Sequence, residues 1–437
     1  RCQALSKISG ETAFVTPYVW MFISSYEELR KKLVSQNTIK SLIQLEYNAF
    51  EPACIPVCAY TISKAHVKDY VGSYIKLSDF KGHENQAPKT LEAIQNPSCG
   101  WFFNAKPDDF NKIPGSPVAY WVSNNVSHSF EKGPLIKDIA QARQGLITAD
   151  SDRFLRFWSE VNIKKIGFSI QNRSEARESG KKWFPYNKGG EFRKWYGNQE
   201  YIVNWENDGI EVRNNVDLNG KQKSRPQNTE FYFLPSLSWT AITSSRFSVR
   251  RDFGGAISSN AGMSVYAEDN ILKKLCALMN SALYDYFLKI ISPTLNFGAG
   301  DIGKVPALID LVGHEDKVYL YHDELINISK KDWDSYEISW DFTQNPIIRT
   351  QQPNLKEAFN TWQQQNADAV AEMKRLEEEN NKLFIDAYGL QDELMPDVPD
   401  EQITLTRADR EKDSQRLVSY ALGCMMGRYS LDEPGLI

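Results

Sequence analysis

The sequence is poor in histidine and cysteine and lacks the motifs of common catalytic and metal centres. Its 5 histidines and 6 cysteines are scattered, with no CxxC pair and no histidine cluster at ligand spacing. This scatter is typical of free thiols in a reducing cytoplasm and speaks against a structural zinc site. The motifs GxSxG, HExxH and D/N-PP-Y/F are absent. The nearest match to the last, Asn-Pro-Ser-Cys at 96–99, lacks the second proline and the aromatic ring, so we interpret it as a turn.

Long apolar runs are missing too. No segment approaches the about 18 apolar residues of a membrane span, and no signal peptide opens the chain. We therefore expect a cytoplasmic protein with no membrane partner. The chain begins with Arg1 and stops at Ile437 without a polar tail, so we expect both ends to be cuts in a longer polypeptide.

The composition indicates a folded protein of several domains. A length of 437 residues exceeds the about 150 residues of an ordinary domain, and 41% hydrophobic with 12% aromatic residues supports real cores. The formal net charge of −5 argues against a surface that is basic throughout. The segment 164–251 nevertheless holds 16 lysines and arginines against nine acidic residues, and a local basic face on an acidic body is compatible with DNA binding.

The first part of the chain has the pattern of an α/β fragment. Apolar and β-branched runs predict strands at 12–16, 39–45 and 55–63, and Ser24 or Ser25 caps an amphipathic helix between the first two. The polar stretch 81–95 is typical of a connecting loop. The fold class we predict is therefore α/β at the start of a multidomain α/β and α+β protein.

The rest of the chain divides into a mainly β part and a helical part. Short strands broken by Gly, Asn and Pro are predicted for IKKIGFSI, EYIVNW, TEFYFL, SLSWTAIT and RFSVRR. One helix is predicted at 271–291. A long helix at 354–387 repeats apolar residues over more than four heptads, which is typical of a coiled coil or helix bundle.

The segment 180–205, GKKWFPYNKGGEFRKWYGNQEYIVNW, concentrates cations and aromatic rings around a Gly-Gly turn. Such a surface suits nucleic acid, with cations on phosphates and rings stacked on bases. A solvated β-hairpin whose rings pack inward is an equally open alternative. The candidate phosphate contacts are Lys181, Lys182, Lys188, Arg193 and Lys194. The candidate stacking or core rings are Trp183, Phe184, Tyr186, Trp195 and Tyr196.

Two further basic clusters lie in the same part of the chain and favour DNA binding. The first comprises Lys221, Lys223 and Arg225. The second comprises Arg246, Arg250 and Arg251, for which we predict contacts with base edges.

Residues 298–303, Gly-Ala-Gly-Asp-Ile-Gly, match GxGxxG and, with Phe297, imitate a methyl-donor loop. The motif binds a cofactor only between a buried strand and a helix whose N-terminus faces the ligand. Pro293 stands where the strand should be, and Pro306 stands where the helix should continue. We therefore predict a structural loop and no cofactor-binding residue.

Long phrases of this sequence resemble the C-terminal part of the adenine-specific DNA methyltransferases of bacteriophage-exclusion (BREX) systems. More loosely, the chain is similar to single-chain restriction-modification methyltransferases with a fused target-recognition domain. The matching phrases are TPYVWMFISSYEELRKKL, LIQLEYNAFE, FNKIPGSPVAYWVS, FLRFWSEVN, KWFPYNKGGEFRKWYGNQEYIVNWENDG, SPTLNFGAGDIGKVP and SYALGCMMGRYSLDEPGL. The family phrase GLxTGDNxRFLRFW departs at Ala149 and Ser151, where the family has Gly and Asn.

The resemblance implies a domain layout. Residues 1–80 would be the closing strands of a Rossmann-like class I methyltransferase domain, followed by a connector at 81–125. A mixed, mainly β target-recognition domain would occupy 126–320, and a long-helix region would occupy 321–437.

The resemblance also implies a reaction and partners. The reaction would be methyl transfer from S-adenosylmethionine to N6 of a flipped adenine, with the methyl-donor loop and catalytic motif upstream of this chain. Double-stranded DNA is the implied partner, together with other phage-defence proteins or a DNA-mimic inhibitor. A non-catalytic DNA-binding specificity subunit, or an interaction scaffold built on the long helix, is the alternative.

Overall fold

The computed structural model describes residues 5–50, 54–310, 312–313 and 315–437. The chain is a mixed α/β protein that divides into two compact units. Unit 1 takes the chain up to Pro134 together with Tyr286–Thr294 and Lys304–Pro306, and unit 2 takes Leu135–Asp285, Leu295–Gly303 and Ala307–Ile437. Cys2 lies outside the described residues, and the cysteines inside them are free thiols.

The elements of unit 1 follow the sequence pattern closely at the start. Its strands are β1 Glu11–Pro17, β2 Thr38–Gln44, β3 Val57–Ser63, β4 Gly72–Lys76 and β5 Phe102–Ala105. Its helices are α1 Glu27–Gln36, α2 Gln86–Gln95 and α3 Asn124–Ser129, with short 3-10 turns at Tyr18–Met21, Ser24–Tyr26, His83–Asn85 and Pro107–Lys112.

The five strands of unit 1 form one sheet in the order β1-β3-β2-β4-β5. Strand β3 is antiparallel to both neighbours, while β2 and β4 are parallel. The predicted strands and the first helix are confirmed, although no serine side chain caps α1. The stretch predicted as a loop at 81–95 contains α2 instead, because Pro88 lies in its first turn, where a missing N–H costs nothing.

The core of unit 1 is organised around a buried arginine. Arg30 of α1 donates from Nε to the carbonyl oxygen of Gly115 at 2.9 Å and from Nη1 to those of Trp20 and Ile23 at 2.8 and 2.7 Å. Burial lowers the pKa of its guanidinium. These bonds satisfy backbone carbonyls beside the cluster of Trp20, Leu33 and other apolar residues.

Unit 2 contains two four-stranded sheets. Its strands are β6 Gln141–Arg143, β7 Leu155–Phe157, β8 Trp183–Asn187, β9 Tyr201–Asn204, β10 Ser236–Thr240, β11 Val249–Asp252, β12 Ile257–Ser258 and β13 Gly262–Tyr266. One sheet has the antiparallel order β11-β10-β13-β6, and the other has the order β12-β8-β9-β7 with only β12 and β8 parallel.

The remaining helices come mostly after the strands. They are α4 Ile136–Ile139, α5 Ser151–Phe154, α6 Arg173–Glu178, α7 Glu206–Arg213, α8 Asp269–Met279, α9 Ala282–Ile291, α10 Ala299–Ile302, α11 Glu315–Trp333, α12 Pro346–Arg349, α13 Leu355–Tyr388 and α14 Arg410–Met425. Short 3-10 turns lie at Trp158–Glu160, Ile163–Lys165, Thr229–Phe231 and Asp400–Gln402. The long helix is confirmed as α13.

Three predictions about unit 2 are corrected by the structure. The helix predicted at 271–291 is two helices, because the chain breaks at Ser281, whose hydroxyl donates to the carbonyl oxygen of Leu278 at 2.6 Å. IKKIGFSI and TEFYFL are not strands but contain 3-10 turns. Their apolar side chains anchor loops in the core. Burial therefore gives these loops the apolar pattern of strands although they do not form a ladder of hydrogen bonds.

Candidate nucleic-acid interface

The aromatic rings of the charged segment 180–205 point into the protein. Strands β8 and β9 pair as an antiparallel hairpin, and the five candidate rings are all buried. Phe184, for example, packs against Phe233 with ring centroids 5.4 Å apart. The inward-packed hairpin is therefore the arrangement in this structure, and these rings have no free face for stacking on bases.

The second half of the segment is buried together with its charge. The ammonium of Lys194 lies 2.5 Å from Oε2 of Glu377, with side-chain exposures of 7% and 2%. Trp195 is fully buried and donates from Nε1 to the other oxygen of Glu377 at 2.7 Å. The prediction that Lys194 and Trp195 contact DNA is thus corrected, because a carboxylate of α13 occupies both.

Arg193 and Arg250 belong to the same buried network. Nη2 of Arg193 lies 2.8 Å from Oδ2 of Asp332, and its guanidinium lies 4.9 Å from the centroid of the Trp333 ring. Arg250 is buried and donates to the carbonyl oxygen of Arg193 at 3.5 Å. Burial, helped by the charge of Arg193, lowers the pKa of Arg250 to about 10. Arg250 is thus closed off from solvent, and the guanidinium of Arg193, whose side chain is 12% exposed, is occupied by Asp332.

The other two arginines of that cluster have different environments. Arg251 is buried and forms an ion pair with Asp269, so its predicted base contact is corrected as well. Arg246 is exposed and lies 3.8 Å from the carboxylate of Asp285. A single exposed pair of this length is weak, so Arg246 stays available to a ligand.

The three lysines in the first half of the charged segment are partly exposed, although the strand between them is buried. Lys181 donates to the carbonyl oxygen of Lys164 at 2.5 Å, and Lys188 lies 4.1 Å from the centroid of the Tyr201 ring. Lys182 is half-buried and lies 3.3 Å from each of the carboxylates of Glu206 and Glu211. Lys181 and Lys188 form no ion pair with any described residue, whereas Lys182 is largely neutralised.

The cluster of Lys221, Lys223 and Arg225 is exposed along one face of an extended segment. Ser224, between the last two, is fully buried, as the alternation of an extended chain requires. The backbone of Arg225 pairs with that of Ile147, at 2.8 and 3.0 Å. Within the described residues, none of the three cations has a carboxylate partner.

Two cations near Lys182 and Lys188 were not predicted from the sequence as candidate DNA contacts. Arg153 lies 4.0 Å from Glu211, which is also the partner of Lys182. Arg156 and Lys188 line one open cavity of about 350 Å³. Both arginines lie in the phrase RFLRFW at 153–158, within the family phrase quoted above.

The loop before these arginines explains a departure from the family phrase. Ala149 has φ of 57°, in the left-handed region that favours glycine. The next residue, Asp150, accepts the backbone N–H of Arg153 at 3.1 Å and starts α5. Glycine adopts this left-handed conformation without strain, whereas Ala149 adopts it at a cost of about 1–2 kcal/mol.

The GxGxxG segment has flanks unlike those of a dinucleotide-binding loop. Asn296 forms an isolated antiparallel bridge with Ile242, and helix α10 that follows has only 4 residues. Gly300 and Gly303 line an open cavity of about 860 Å³ together with Lys137, Arg143 and Glu268. The predicted loop is thus a short helical turn, without the buried strand and long helix that the motif needs.

Two other kinds of feature are absent from the part of the chain that the structure describes. No group of three or more His, Cys, Asp or Glu is placed to hold a metal ion. None of the described helices combines the length and apolarity needed to cross a membrane.

Comparison with curated proteins gives two relatives that match the chain from end to end. It is 36% identical to the adenine-specific methyltransferase PglX of Lacticaseibacillus casei (strain Zhang), covering 100% of this chain and 37% of that protein. It is 33% identical to the adenine-specific methyltransferase BrxX of Escherichia coli O9:H4 (strain HS), covering 99% of this chain and 36% of that protein. No model of a known protein family matches the chain.

Solved structures give weaker similarities. The type IIL restriction-modification enzyme MmeI, in complex with DNA, aligns with a TM-score of 0.47 and 12% identity, over 95% of this chain and 51% of that one. A nuclease-deletion mutant of the type ISP enzyme LlaGI, with a DNA substrate mimic, aligns with a TM-score of 0.41 and 10% identity, over 75% and 36%. Similarity at this level carries no conclusion about fold or function.

The curated relatives confirm the resemblance that the quoted phrases predicted. This chain is a PglX-like protein over its whole length, and it spans 37% and 36% of the two adenine-specific methyltransferases that it matches.

Proposed function

We propose that this chain is the DNA-recognition and C-terminal part of a site-specific DNA adenine methyltransferase of a BREX phage-defence system. The observation that carries the proposal is its end-to-end similarity, at 36% and 33% identity, to two adenine-specific methyltransferases. The complete enzyme would transfer a methyl group to N6 of an adenine flipped out of the duplex. The chemical step would belong to the part of a longer protein that this chain does not contain.

The strand order of unit 1 supports the role predicted for residues 1–80. Strand β3, the last of the first three in the chain, lies antiparallel between β1 and β2. A late strand inserted antiparallel between two earlier ones fits the closing strands of a methyltransferase sheet that the resemblance implies for this region. Among the described strands, β1 lies at the edge of the sheet, where a strand from the rest of the enzyme would pair.

S-adenosylmethionine does not fit the one segment of this chain that resembles its binding loop. Helix α10 is 4 residues long, and residues before it make only an isolated bridge. A donor loop needs a strand end and a helix N-terminus with several free N–H groups. We therefore assign the methyl donor to no residue of this chain.

Exposed cations of unit 2 support contact with duplex DNA. Lys164 and Lys165 are exposed, and Lys181 beside them is partly exposed. Lys223 and Arg225 are also exposed, and within the described residues none of these five cations has a carboxylate partner. Cations left without acidic neighbours on a chain of net charge −5 are suited to phosphate. Other phage-defence proteins and DNA-mimic inhibitors stay predicted partners.

The interaction-scaffold alternative is disfavoured by the burial of the long helix. Trp362, Met373, Leu376 and Phe384 mark the apolar face of α13, and all are buried within unit 2. A helix that uses its apolar face for its own domain has little left to recruit a partner.

Two experiments test the proposal. The first measures binding of this chain to a labelled duplex as the salt concentration rises. We expect log K to fall linearly with log salt, with a slope of about −0.9 for each phosphate contacted. No binding at low salt, or binding that salt leaves unchanged, would refute DNA recognition by this chain.

The second experiment tests the link to adenine methylation. This chain replaces the matching part of the Lacticaseibacillus casei relative, and modified adenines are mapped in DNA from cells that express the chimera. We expect methylated adenines at a motif that differs from the motif of the parent enzyme. A folded chimera that methylates the parent's motif would place recognition elsewhere and contradict the proposal.

A further inference from the structure

A short hairpin carries the exposed basic cluster of unit 2. Val216 and Gln222 form an antiparallel bridge, and the chain between them makes a tight turn. Leu218 and Asn219 at its tip are exposed, Leu218 completely so. We call residues 216–222 the basic hairpin, because Lys221 lies on it and Lys223 and Arg225 follow directly.

The tip of the basic hairpin is held by its own hydrogen bonds. The backbone N–H of Asp217 donates to the carbonyl oxygen of Lys221 at 2.8 Å, and its carboxylate accepts from the N–H groups of Asn219 and Lys221 at 2.8 and 2.9 Å. Gly220 has φ of 79°, as the turn requires. The exposed tip is therefore a defined turn that presents its side chains in fixed directions.

The base of the hairpin is fixed to the core of unit 2. The buried Asn215 amide donates to Oγ of Ser224 at 2.8 Å, and that hydroxyl donates to the carbonyl oxygen of Thr148 at 2.5 Å. The N–H of Lys223 donates to the carbonyl oxygen of Asn215 at 2.8 Å. A projecting turn on a buried polar anchor is preorganised, so binding costs little ordering entropy.

The side chains of the tip and of its flank have complementary chemistry. Leu218 offers an apolar surface, and Asn219 offers an amide that can bond to an adenine edge. The three cations stand on one face, one residue in two, at the spacing of an extended chain. Leu218 is fully exposed, so its apolar surface is free to contact a ligand.

We propose that the basic hairpin enters the major groove of the duplex and reads an A·T pair with Leu218 and Asn219. A two-stranded ribbon fits this groove, where a thymine methyl packs on an apolar side chain and adenine N6 and N7 pair with an amide. Lys221, Lys223 and Arg225 hold the flanking phosphates and fix the depth of insertion. This inference rests on the proposed function and names the element that confers specificity.

The test separates phosphate contact from base reading with two double variants of this chain. In Lys223→Ala with Arg225→Ala, we expect the slope of log K against log salt to become shallower by about 1.8. In Leu218→Ala with Asn219→Ala, we expect that slope to be unchanged. The motif enriched from a random duplex pool should then lose at least one A·T position, with about tenfold weaker discrimination there.

Controls keep failure of this inference distinct from failure of the proposed function. Lys356→Ala with Lys412→Ala removes the same charge at exposed positions outside the hairpin and should change neither slope nor motif. If the unaltered chain binds no duplex, the proposed function fails. If it binds and the hairpin variants behave like the control, only the hairpin assignment fails. If poly-glutamate binding weakens as much as duplex binding while the motif persists, the hairpin is a general anion contact and the inference is wrong.

Discussion

The ammonium of Lys194 and the carboxylate of Glu377 lie 2.5 Å apart although the two residues are 183 positions apart in the sequence. Both side chains are almost completely buried, and Trp195 donates to the same carboxylate. The contact joins the most basic segment of the chain to helix α13. Lys194, which the sequence suggests as a ligand contact, thus helps to hold the sheets and helices of unit 2 together.

The first prediction concerns this pair. Glu377→Gln keeps the shape of the side chain but leaves the ammonium of Lys194 buried without an opposite charge. We expect the free energy of unfolding to fall by about 3–5 kcal/mol, as measured by urea denaturation. Lys194→Met in the same chain should restore a large part of this loss, because it removes the uncompensated charge.

A matched control lies one helical turn away. Lys374 and Asp400 form an exposed pair at 2.7 Å. Asp400→Asn should change the free energy of unfolding far less than Glu377→Gln, because solvent screens an exposed pair. Equal effects of Glu377→Gln and Asp400→Asn would contradict a structural role for the buried pair.

The second prediction concerns the glycines. A Cβ at Gly300 would meet no atom within 4 Å, and alanine is the better helix former inside α10. Gly300→Ala should therefore leave the melting temperature unchanged or raise it slightly. The free energy of unfolding should rise by at most about 1 kcal/mol. In a dinucleotide-binding loop, the second glycine of the motif lets the backbone approach the ligand and tolerates no side chain.

Gly262 of β13 provides the contrast. A Cβ there would stand 2.2 Å from the carbonyl oxygen of Asn187 and 2.6 Å from the N–H nitrogen of Gly189. Gly262→Ala should force the two sheets of unit 2 apart and lower stability by several times more than Gly300→Ala. Calorimetry measures the melting temperatures of both variants. A loss of stability in Gly300→Ala as large as that in Gly262→Ala would refute the prediction for Gly300.

The third prediction is a pH dependence that arises from His322 in α11. The imidazole is buried, its Nδ1 lies 2.8 Å from the carboxylate of Asp323, and burial lowers its pKa despite that neighbour. The charges of Arg251 and Lys273 lower it further. A depressed folded pKa means that the unfolded chain binds the proton first as the pH falls.

The stability that His322 contributes is therefore complete above its unfolded pKa of about 6.5 and is lost as the pH falls toward the folded pKa. His322→Gln should flatten the fall of the unfolding free energy below about pH 6.5, by at most 1.4 kcal/mol per pH unit. His128→Gln alters an exposed histidine and serves as the control. A fall of the same steepness in wild type and His322→Gln would rule out this assignment.

Local periodicity predicted the elements whose pattern comes from one face being buried. The strands of unit 1 and helix α13 fall in this class, because their alternation or heptads directly reflect burial. The prediction of strands at 163–170 and 229–234 was wrong, because loops anchored by buried aromatic residues have the same apolar pattern as strands. Helix α2 was not predicted because its sequence is polar and contains a proline. That proline lies in the first turn of the helix, where proline is tolerated.

The candidate site was only half predictable for a related reason. Lys181 and Lys194 have the same chemistry and lie close together in the sequence. One reaches solvent and the other is buried against Glu377. The difference depends on a residue of a distant helix, and no local pattern contains it. Lys223 and Arg225 are exposed on either side of buried Ser224, and the phrase KQKSR is polar throughout, so its sequence does not show which of these side chains is buried.

The two units are interleaved along the chain. After Asp285 the sequence returns to unit 1 for Tyr286–Thr294 and again for Lys304–Pro306, before it completes unit 2. A recognition module that is inherited as one continuous cassette would leave its host protein once and return once. Unit 2 cannot be exchanged by a single pair of crossovers at its ends without carrying pieces of unit 1 along. If unit 2 recognises DNA as proposed, new specificities should therefore arise by local changes on its exposed loops more readily than by exchange of the whole unit.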